Sequence, residues 1–186
     1  VMLYDSRAHG ESEGNQITFG YLESLDAEKA FALLKSEVPN VPIGIIGMSL
    51  GGAASLLGEA AELADALVLE AVYPTLEQAL NNRLSMRLGC SAPLAKPLLL
   101  GQVQLRLGVN PSWFSPIERI RSVNTPVLVV GGTLDQHTTP EQTKELYAAA
   151  RSQKELYFVE GAAHVNFHRE GKSEYESRLL SFLNRH

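Results

Sequence analysis

A serine of the kind used in nucleophilic catalysis lies at an apparent strand-to-helix turn. Ser49 is the centre of Gly47-Met48-Ser49-Leu50-Gly51, which fits G-x-S-x-G and directly follows the apolar run Ile43–Ile46. In this context the serine occupies a strained turn that exposes its hydroxyl above the sheet. We expect the strand and helix backbones to approach each other closely at Gly47 and Gly51, which explains why these positions have no side chain. The alternative, for the motif alone, is an ordinary serine in a glycine-rich turn.

A serine hydroxyl becomes an effective nucleophile when a neutral imidazole takes its proton and a carboxylate orients that imidazole. Asp135 follows the apolar run 125–132, and His164 follows the run 155–159. Because the carboxyl ends of parallel strands meet at one edge of a sheet, we expect both side chains near Ser49. Taken alone, Asp135 could cap the next helix, although a threonine before Pro140 is better placed to do so, and His164 could be a turn residue. The other histidines follow no strand in this order: His9, His137, His168 and His186.

The periodicity of apolar residues predicts the elements that would position this chemistry. A helical pattern begins at Ser24 and ends before Pro39, and strands then alternate with helices. The small-residue helix 50–61 joins two strand-like runs, the second being 66–69, and a crossover of this length implies parallel strands. We therefore predict an α/β protein with a doubly wound, mostly parallel sheet, in one domain over residues 1–186.

Residues 75–115 interrupt this alternation with two helical stretches and no clear strand. They predict a small helical cap over the carboxyl edge of the sheet. Apolar residues of the cap could line an acyl or aryl pocket, but for most of them we favour a place in the core of the cap itself. At the ends of the chain, we predict a buried strand at Val1–Tyr4 and a helix from about Ser173 to Asn184.

Composition and charge narrow the function classes. Sixteen basic and twenty-one acidic residues give a net charge of −5, and there is no basic stripe, so nucleic acid is not an expected partner. The single cysteine, Cys90, can form no intramolecular disulfide, which fits a reducing compartment. The sequence has no apolar run long enough for a bilayer and no signal-peptide pattern. We therefore expect a cytoplasmic protein without membrane association.

Four segments of the chain together resemble the α/β-hydrolases: residues 5–12 (DSRAHGES), 47–52 (GMSLGG), 132–140 (GTLDQHTTP) and 161–164 (GAAH). Within that family the chain most resembles the esterase and serine-aminopeptidase-like branch. The resemblance implies the α/β-hydrolase fold, with Ser49, His164 and Asp135 as the triad. It also implies that the backbone N–H of Leu50 is one oxyanion donor, and it implies no metal or organic cofactor. Ala8 departs from the pattern, because the family usually has a glycine there.

The same resemblance implies a sheet that is incomplete on its N-terminal side. In the family, the loop similar to residues 5–12 follows the fourth strand, so Val1–Asp5 would be that strand without its usual neighbours, the second and third strands. The alternative, with Val1–Asp5 as the third strand and His9-Gly10 as the oxyanion motif, needs a further strand and helix before Ser49 and is rejected. We expect an upstream segment, a rearranged sheet or a second copy to pair with Val1–Asp5. We also expect the second oxyanion donor to be missing.

The sequence thus predicts a serine hydrolase of the carboxylesterase type, which cleaves carboxylic esters or related acyl compounds through an acyl-enzyme. Its expected partners are a small ester substrate and a second copy of the chain at the open sheet edge. A serine at position 49 argues against a dehalogenase, which would have aspartate there. The open alternatives are a non-catalytic binding protein and an acyltransferase, peptidase or thioesterase with the same triad. Loss of one oxyanion donor typically costs about 10²–10³ in kcat, so the chain alone could be impaired.

Overall fold

A four-stranded parallel sheet forms the centre of the protein in the computed structural model, which describes residues 1–186. Its strands lie side by side in chain order: β1 (Gly44–Met48), β2 (Ala66–Glu70), β3 (Val127–Gly132) and β4 (Lys154–Val159). β2 and β3 are buried along their whole length, as expected for central strands covered on both faces. The predicted α/β class and parallel sheet are confirmed.

Helices cover both faces of this sheet. Side chains alternate between the faces, so Leu67 and Leu69 pack beneath α1, α2, α6 and α7, whereas Val68 packs against α8. Burial of a large apolar side chain such as Phe182 of α8 contributes about 2–3 kcal/mol. The predicted doubly wound arrangement is therefore confirmed. The helices are α1 (Tyr21–Glu37), α2 (Leu50–Leu57), α3 (Ala60–Leu63), α4 (Leu76–Leu88), α5 (Ala92–Leu107), α6 (Pro116–Ile120), α7 (Pro140–Ala149) and α8 (Phe167–Leu183).

The segment between β2 and α6 is helical, with α4, α5 and two short 3₁₀ turns. Asn82 of α4 donates from Nδ2 to the carbonyl oxygen of His137 at 3.0 Å, so α4 lies against the loop after β3. In α5, however, three leucines are exposed, so our prediction that most apolar residues here form the core of the cap applies to residues such as the buried Val103 but not to these three. One side of α5 packs on α4, and the other side faces solvent. The exposed residues are Leu94, Leu98 and Leu105.

The predicted strand at Val1–Tyr4 is absent from the sheet. A strand requires a ladder of backbone hydrogen bonds with a neighbour, and residues 1–5 form no such ladder. Met2–Tyr4 instead lie beside the outer edge of β1, across a cavity of about 260 Å³ that α1 also lines. Val1 and Leu3 are exposed. The outer edge of β1 is thus unpaired along Gly44–Met48.

Two helices begin earlier than their periodicity predicts. α1 begins at Tyr21 rather than Ser24, because the Glu23 carboxylate accepts the Gly20 N–H at 2.8 Å and caps the helix. α8 likewise begins at Phe167, where Asn166 is the N-cap, but its helical backbone is interrupted at Lys172 (φ 46°, ψ −128°), and the part after this break is the predicted helix from about Ser173. The predicted helix 50–61 is divided at Gly58. No helix of the protein combines the length and apolar character that a membrane span requires.

Candidate active site

Ser49 occupies a sharp turn between β1 and α2. Its backbone has φ 48° and ψ −112°, a left-handed conformation that costs a non-glycine residue about 1–3 kcal/mol. The turn is held in place because the Ser49 N–H donates to the carbonyl oxygen of Glu70 at 2.7 Å. The predicted strand–serine–helix context is therefore present, with the serine at the carboxyl end of β1.

Close backbone approach at this turn involves Gly47 and Gly52. A Cβ on Gly47 would lie 2.6 Å from Gly52 Cα, which confirms the prediction for that glycine. A Cβ on Gly52 would lie 2.3 Å from Val72 Cγ2 and 2.6 Å from the Gly47 carbonyl oxygen. A Cβ on Gly51 would meet nothing within 4 Å, so the prediction of a close approach there is wrong. Successive residues of a helix point in different directions, and it is Gly52 that faces β1.

The structure brings Ser49, His164 and Asp135 together, although they are far apart in sequence. His164 Nε2 lies 3.2 Å from Ser49 Oγ, and His164 Nδ1 lies 2.8 Å from Asp135 Oδ2. Because the Nδ1–H donates to the carboxylate, Nε2 is free to accept the Ser49 hydroxyl proton. The three side chains thus form a continuous hydrogen-bonded chain from hydroxyl to imidazole to carboxylate.

Backbone donors satisfy the buried Asp135 carboxylate. Asp135 is only 2% exposed, and its Oδ1 accepts the N–H groups of His137 at 2.8 Å and Thr138 at 2.9 Å. The other oxygen, Asp135 Oδ2, accepts the His164 Nδ1–H. These donors compensate the negative charge that burial would otherwise destabilise, and they fix the direction of the carboxylate. Thr139, with its hydroxyl on Gln142 N–H, caps α7, so Asp135 is not the cap.

A second imidazole, that of His137, lies beside His164. The two ring centroids are 5.0 Å apart, with an angle of 47° between the ring planes. Burial, followed by the proximity of His164 and Arg83, lowers the pKa of His137 below its ordinary value. Its Nδ1 is buried without a hydrogen-bond partner. The sequence gives little indication of this contact apart from the position of His137 two residues after the acid.

The other histidines form no hydrogen bond with the triad, although His9 lines a cavity of about 300 Å³ together with Leu50. His9 Nδ1 bonds the Arg7 carbonyl oxygen, and the exposed His168 bonds Glu176. His186 packs against Phe182. None of these rings hydrogen-bonds Ser49.

The backbone N–H of Leu50 is a donor at the start of a helix. Leu50 is the first residue of α2, so its N–H has no acceptor within the helix. The positive end of the helix dipole lies at the same place. Because Leu50 directly follows Ser49, this N–H is available to an oxygen that develops negative charge next to the serine.

A cavity of about 610 Å³ lies between α4, α5 and the loop before α1. This volume is within the range of small-molecule sites. Its wall is mostly apolar, and polar side chains at its edge include Gln16, Gln102 and Arg106. The apolar lining residues are Ile17, Phe19, Leu80, Leu99, Val103 and Leu107.

Comparison with known proteins identifies relatives that are longer than this chain. A Bacillus subtilis protein, uncharacterized protein YqkD, is 28% identical over 187 residues, covering 98% of this chain and 61% of its own length. The Arabidopsis thaliana alpha/beta hydrolase domain-containing protein WAV2 is 27% identical over 195 residues, covering 100% of this chain and 61% of its own length. The chain thus spans about three fifths of these relatives. No protein-family model matches the sequence.

A solved structure has a similar architecture. The Pyrococcus furiosus esterase Pf2001 superposes with a TM-score of 0.71 at 22% identity, over 97% of this chain and 68% of the esterase. At this level of identity the match concerns the fold.

Proposed function

We propose that this chain, which has the α/β-hydrolase fold, is a serine hydrolase that cleaves carboxylic esters or related acyl compounds. The observation that carries the proposal is the hydrogen-bonded chain from Ser49 Oγ through His164 to Asp135. This arrangement has the order and atom roles of a nucleophile, a general base and an orienting acid. The esterase and serine-aminopeptidase-like branch is the part of the family to which we assign it.

In the first half of the reaction, Ser49 Oγ attacks the carbonyl carbon of the ester while His164 Nε2 takes the hydroxyl proton. Asp135 accepts the Nδ1–H throughout and stabilises the imidazolium that forms. The bond from the carbonyl carbon to the alcohol oxygen then breaks, and His164 returns its proton to that oxygen. The products of this half are a free alcohol and an acyl-enzyme on Ser49.

In the second half, a water molecule attacks the acyl-enzyme. His164 takes a proton from the water, and the same imidazole then protonates Ser49 Oγ as the acyl group leaves as a carboxylic acid. In both halves the carbonyl oxygen carries negative charge in the tetrahedral intermediate. The Leu50 N–H is the donor that we assign to this oxygen, and one such donor is typically worth about 10²–10³ in kcat.

The cavity beside α4 and α5 is the part of the molecule suited to the apolar portion of the ester. Six of its ten lining residues are apolar, and none of the ten belongs to the triad; the link to the triad is α4, which contributes Leu80 to the cavity and also contacts the loop that carries Asp135. We expect esters with an apolar acyl or aryl group to be hydrolysed with a lower KM than acetate esters. A series of p-nitrophenyl esters of increasing acyl length measures this preference. We also place the protein in the cytoplasm, where the exposed free thiol of Cys90 would stay reduced.

A fluorophosphonate probe tests the nucleophile directly. Ser49 Oγ would displace fluoride from phosphorus, and intact-mass measurement would show one covalent adduct on the protein. Ser49→Ala should abolish labelling. Ser55→Ala is the matched control, because this buried hydroxyl in α2 bonds only the Gly51 carbonyl oxygen, and it should label like the wild type. A folded wild type that stays unlabelled and hydrolyses no ester would favour the non-catalytic binding protein.

Product analysis separates the hydrolase from an acyltransferase or peptidase. Alcohols or amines are added to the ester reaction at increasing concentration, and the products are quantified. Formation of free acid in proportion to ester consumed supports the hydrolase. Preferential formation of a new ester or amide would assign the triad to acyl transfer instead. Cleavage of peptide p-nitroanilides faster than esters would assign it to peptide hydrolysis.

A further inference from the structure

The end of β2 is hydrogen-bonded to the loops that carry the nucleophile and the acid. The carbonyl oxygen of Glu70 accepts the Ser49 N–H at 2.7 Å. The carbonyl oxygen of the next residue, Ala71, accepts from Thr138 Oγ1 at 3.0 Å, and the Thr138 N–H donates to Asp135 Oδ1 at 2.9 Å. The dipeptide Glu70-Ala71 therefore helps to position two of the three triad residues, Ser49 and Asp135.

The third connection from this dipeptide runs to the helix after His164. Tyr175 of α8 donates its hydroxyl proton to Glu70 Oε1. Both side chains are buried, with Glu70 7% and Tyr175 6% exposed. α8 begins at Phe167, immediately after the loop that holds His164, and its backbone is interrupted at Lys172; Tyr175 lies just beyond this break, so its bond attaches the segment that follows the loop to β2.

Packing around Tyr175 shows that α8 lies close to the sheet at this point. Phe167 and Tyr175 belong to the same buried cluster as Ala71. A Cβ on Gly171 would lie 2.7 Å from Tyr175 Cβ and 3.3 Å from Val159 Cγ1, so the absence of a side chain at Gly171 permits the approach. Val159 is the last residue of β4, which leads into the His164 loop. Both ends of that loop are thus fixed near Tyr175.

We propose that Glu70 and Tyr175 are positioning residues, which hold the His164 loop so that the imidazole stays aligned with Ser49 and Asp135. This inference rests on the proposed function and adds to it a pair that touches neither substrate nor the reacting atoms. The pair completes a set of bonds in which one dipeptide at the end of β2 fixes all three triad loops. Neither residue belongs to a motif in the sequence.

The protonation of the pair agrees with this role. Burial raises the pKa of the Tyr175 hydroxyl well above its ordinary value, and the Glu70 carboxyl raises it further, so the phenol remains a donor. Burial also raises the pKa of Glu70, while the Tyr175 hydrogen bond acts in the opposite direction. The hydrogen bond therefore compensates part of the cost of placing the carboxyl group beneath α8.

Tyr175→Phe tests the pair, because it removes one hydroxyl and retains the buried ring. We expect kcat for p-nitrophenyl acetate to fall about tenfold with KM changed less than about twofold, as for a small misplacement of a catalytic group. We also expect the downfield proton resonance of His164 Nδ1–H to weaken or disappear. Glu70→Leu should reproduce both effects, and Glu70→Gln, which retains an acceptor for the hydroxyl, should restore most of kcat.

Tyr157→Phe is the matched control. Tyr157 packs against the same core cluster, but its hydroxyl makes no side-chain hydrogen bond, so kcat and the resonance should match the wild type. Wild-type kcat and an unchanged resonance in folded Tyr175→Phe would overturn the inference. So would a loss of kcat that only follows the unfolded fraction measured by circular dichroism.

The resonance also separates this inference from the proposed function. A wild type that hydrolyses no ester would count against the function. In that case, loss of the Nδ1–H signal in Tyr175→Phe would still support the positioning pair, and its persistence would overturn the pair.

Discussion

At the carboxyl rim of the sheet, hydrogen bonds join residues that are distant in sequence, whereas the N-terminal loop (residues 1–14) bonds chiefly to itself. The rim consists of Ser49, Asp135 and His164 with the dipeptide Glu70-Ala71, and its bonds span up to 115 positions. In the loop, Ser12 Oγ bonds the carbonyl oxygen of a residue seven positions earlier, and other bonds are equally local. The two regions therefore depend on the fold to different degrees.

One ion pair provides the hydrogen bonds between the N-terminal loop and the rest of the protein, in addition to the packing of Met2–Tyr4 beside β1 and α1. Arg7 donates its backbone N–H and its Nε–H to Asp26 Oδ2, and its Nη2 donates to Asp26 Oδ1 at 2.6 Å. Loss of this pair would release the loop. At the rim, several long-range bonds together hold the three triad residues, so we expect loss of one bond to shift a side chain rather than to release a whole segment. In the loop, the conformation depends on local turns and a single anchor.

The largest expected difference between the regions is in activity. His164→Ala should lower kcat by about 10⁶-fold, because the nucleophile loses its general base. His9→Ala, in the N-terminal loop, should change kcat less than about twofold, because its ring bonds only the Arg7 carbonyl oxygen. Both constants come from hydrolysis of one p-nitrophenyl ester. An equal loss in the two variants would show that the loop belongs to the catalytic machinery.

Two adjacent glycines test how tightly the rim is packed. Gly52→Ala should lower the free energy of unfolding by about 3 kcal/mol, because its Cβ would lie 2.3 Å from Val72 and 2.6 Å from the Gly47 backbone. Gly51→Ala should raise it by about 0.5 kcal/mol, because alanine favours the helix and its Cβ meets nothing. Urea unfolding measures both values. The comparison fails if the two variants are equally stable.

The sequence predicts the rim better than the loop, for physical reasons. Apolar runs in the sequence predict β1 to β4, and the order Ser49, Asp135, His164 follows from where those strands end. The loop gave the wrong prediction because a strand exists only with a neighbour, and Val1–Tyr4 have none in the sheet. Its apolar residues alone do not distinguish a strand from an extended segment.

Within the rim, contacts that depend on side-chain direction were not predictable. Whether Gly51 or Gly52 faces the strand depends on the phase of α2, which the motif does not specify. The bond from Tyr175 to Glu70 joins positions 105 apart and carries no pattern in the sequence. His137 likewise reaches His164 only through the fold of the loop after β3.

Glu70 of the rim and Asp26, the α1 residue that anchors the N-terminal loop, should give the free energy of unfolding opposite dependences on pH. Burial raises the pKa of Glu70 above its ordinary 4.5, so its contribution is complete below that value and is lost as the pH rises through the raised pKa. The Arg7 side chain lowers the pKa of Asp26 below its ordinary 3.8. The ion pair of Asp26 with Arg7 is partly exposed and stabilises the fold by about 1 kcal/mol. This stabilisation is present above pH 3.8 and is lost as the pH falls through the lowered pKa of Asp26.

Urea unfolding between pH 3 and pH 8 measures these contributions by comparison with charge-free variants. The wild type should lose stability relative to Glu70→Gln as the pH rises, and relative to Asp26→Asn as the pH falls below about 4. Subtraction of each variant removes the titration of the other carboxyl groups. Curves of the same sign for the two residues would contradict the assigned environments.

The smallest expected effect lies in the N-terminal loop, at Ala8. This residue has φ 58°, a left-handed conformation in which an L-residue with a Cβ is strained by about 1–2 kcal/mol. Ala8→Gly should raise the free energy of unfolding by about 0.5 kcal/mol, because the relief of strain exceeds the entropy that glycine adds to the unfolded chain. Ala32→Gly, in the interior of α1, should instead lower it by about 1 kcal/mol.

The kinetic effect of Ala8→Gly decides how separate the two regions are. Because the loop bonds chiefly to itself and to Asp26, relief of strain at Ala8 should leave kcat within about twofold of the wild type. A more stable variant with unchanged kcat would show that strain in the loop serves no catalytic purpose. A more stable variant with lower kcat would show that the loop conformation helps to position the triad residues of the rim. The rim and the N-terminal loop would then not be independent regions.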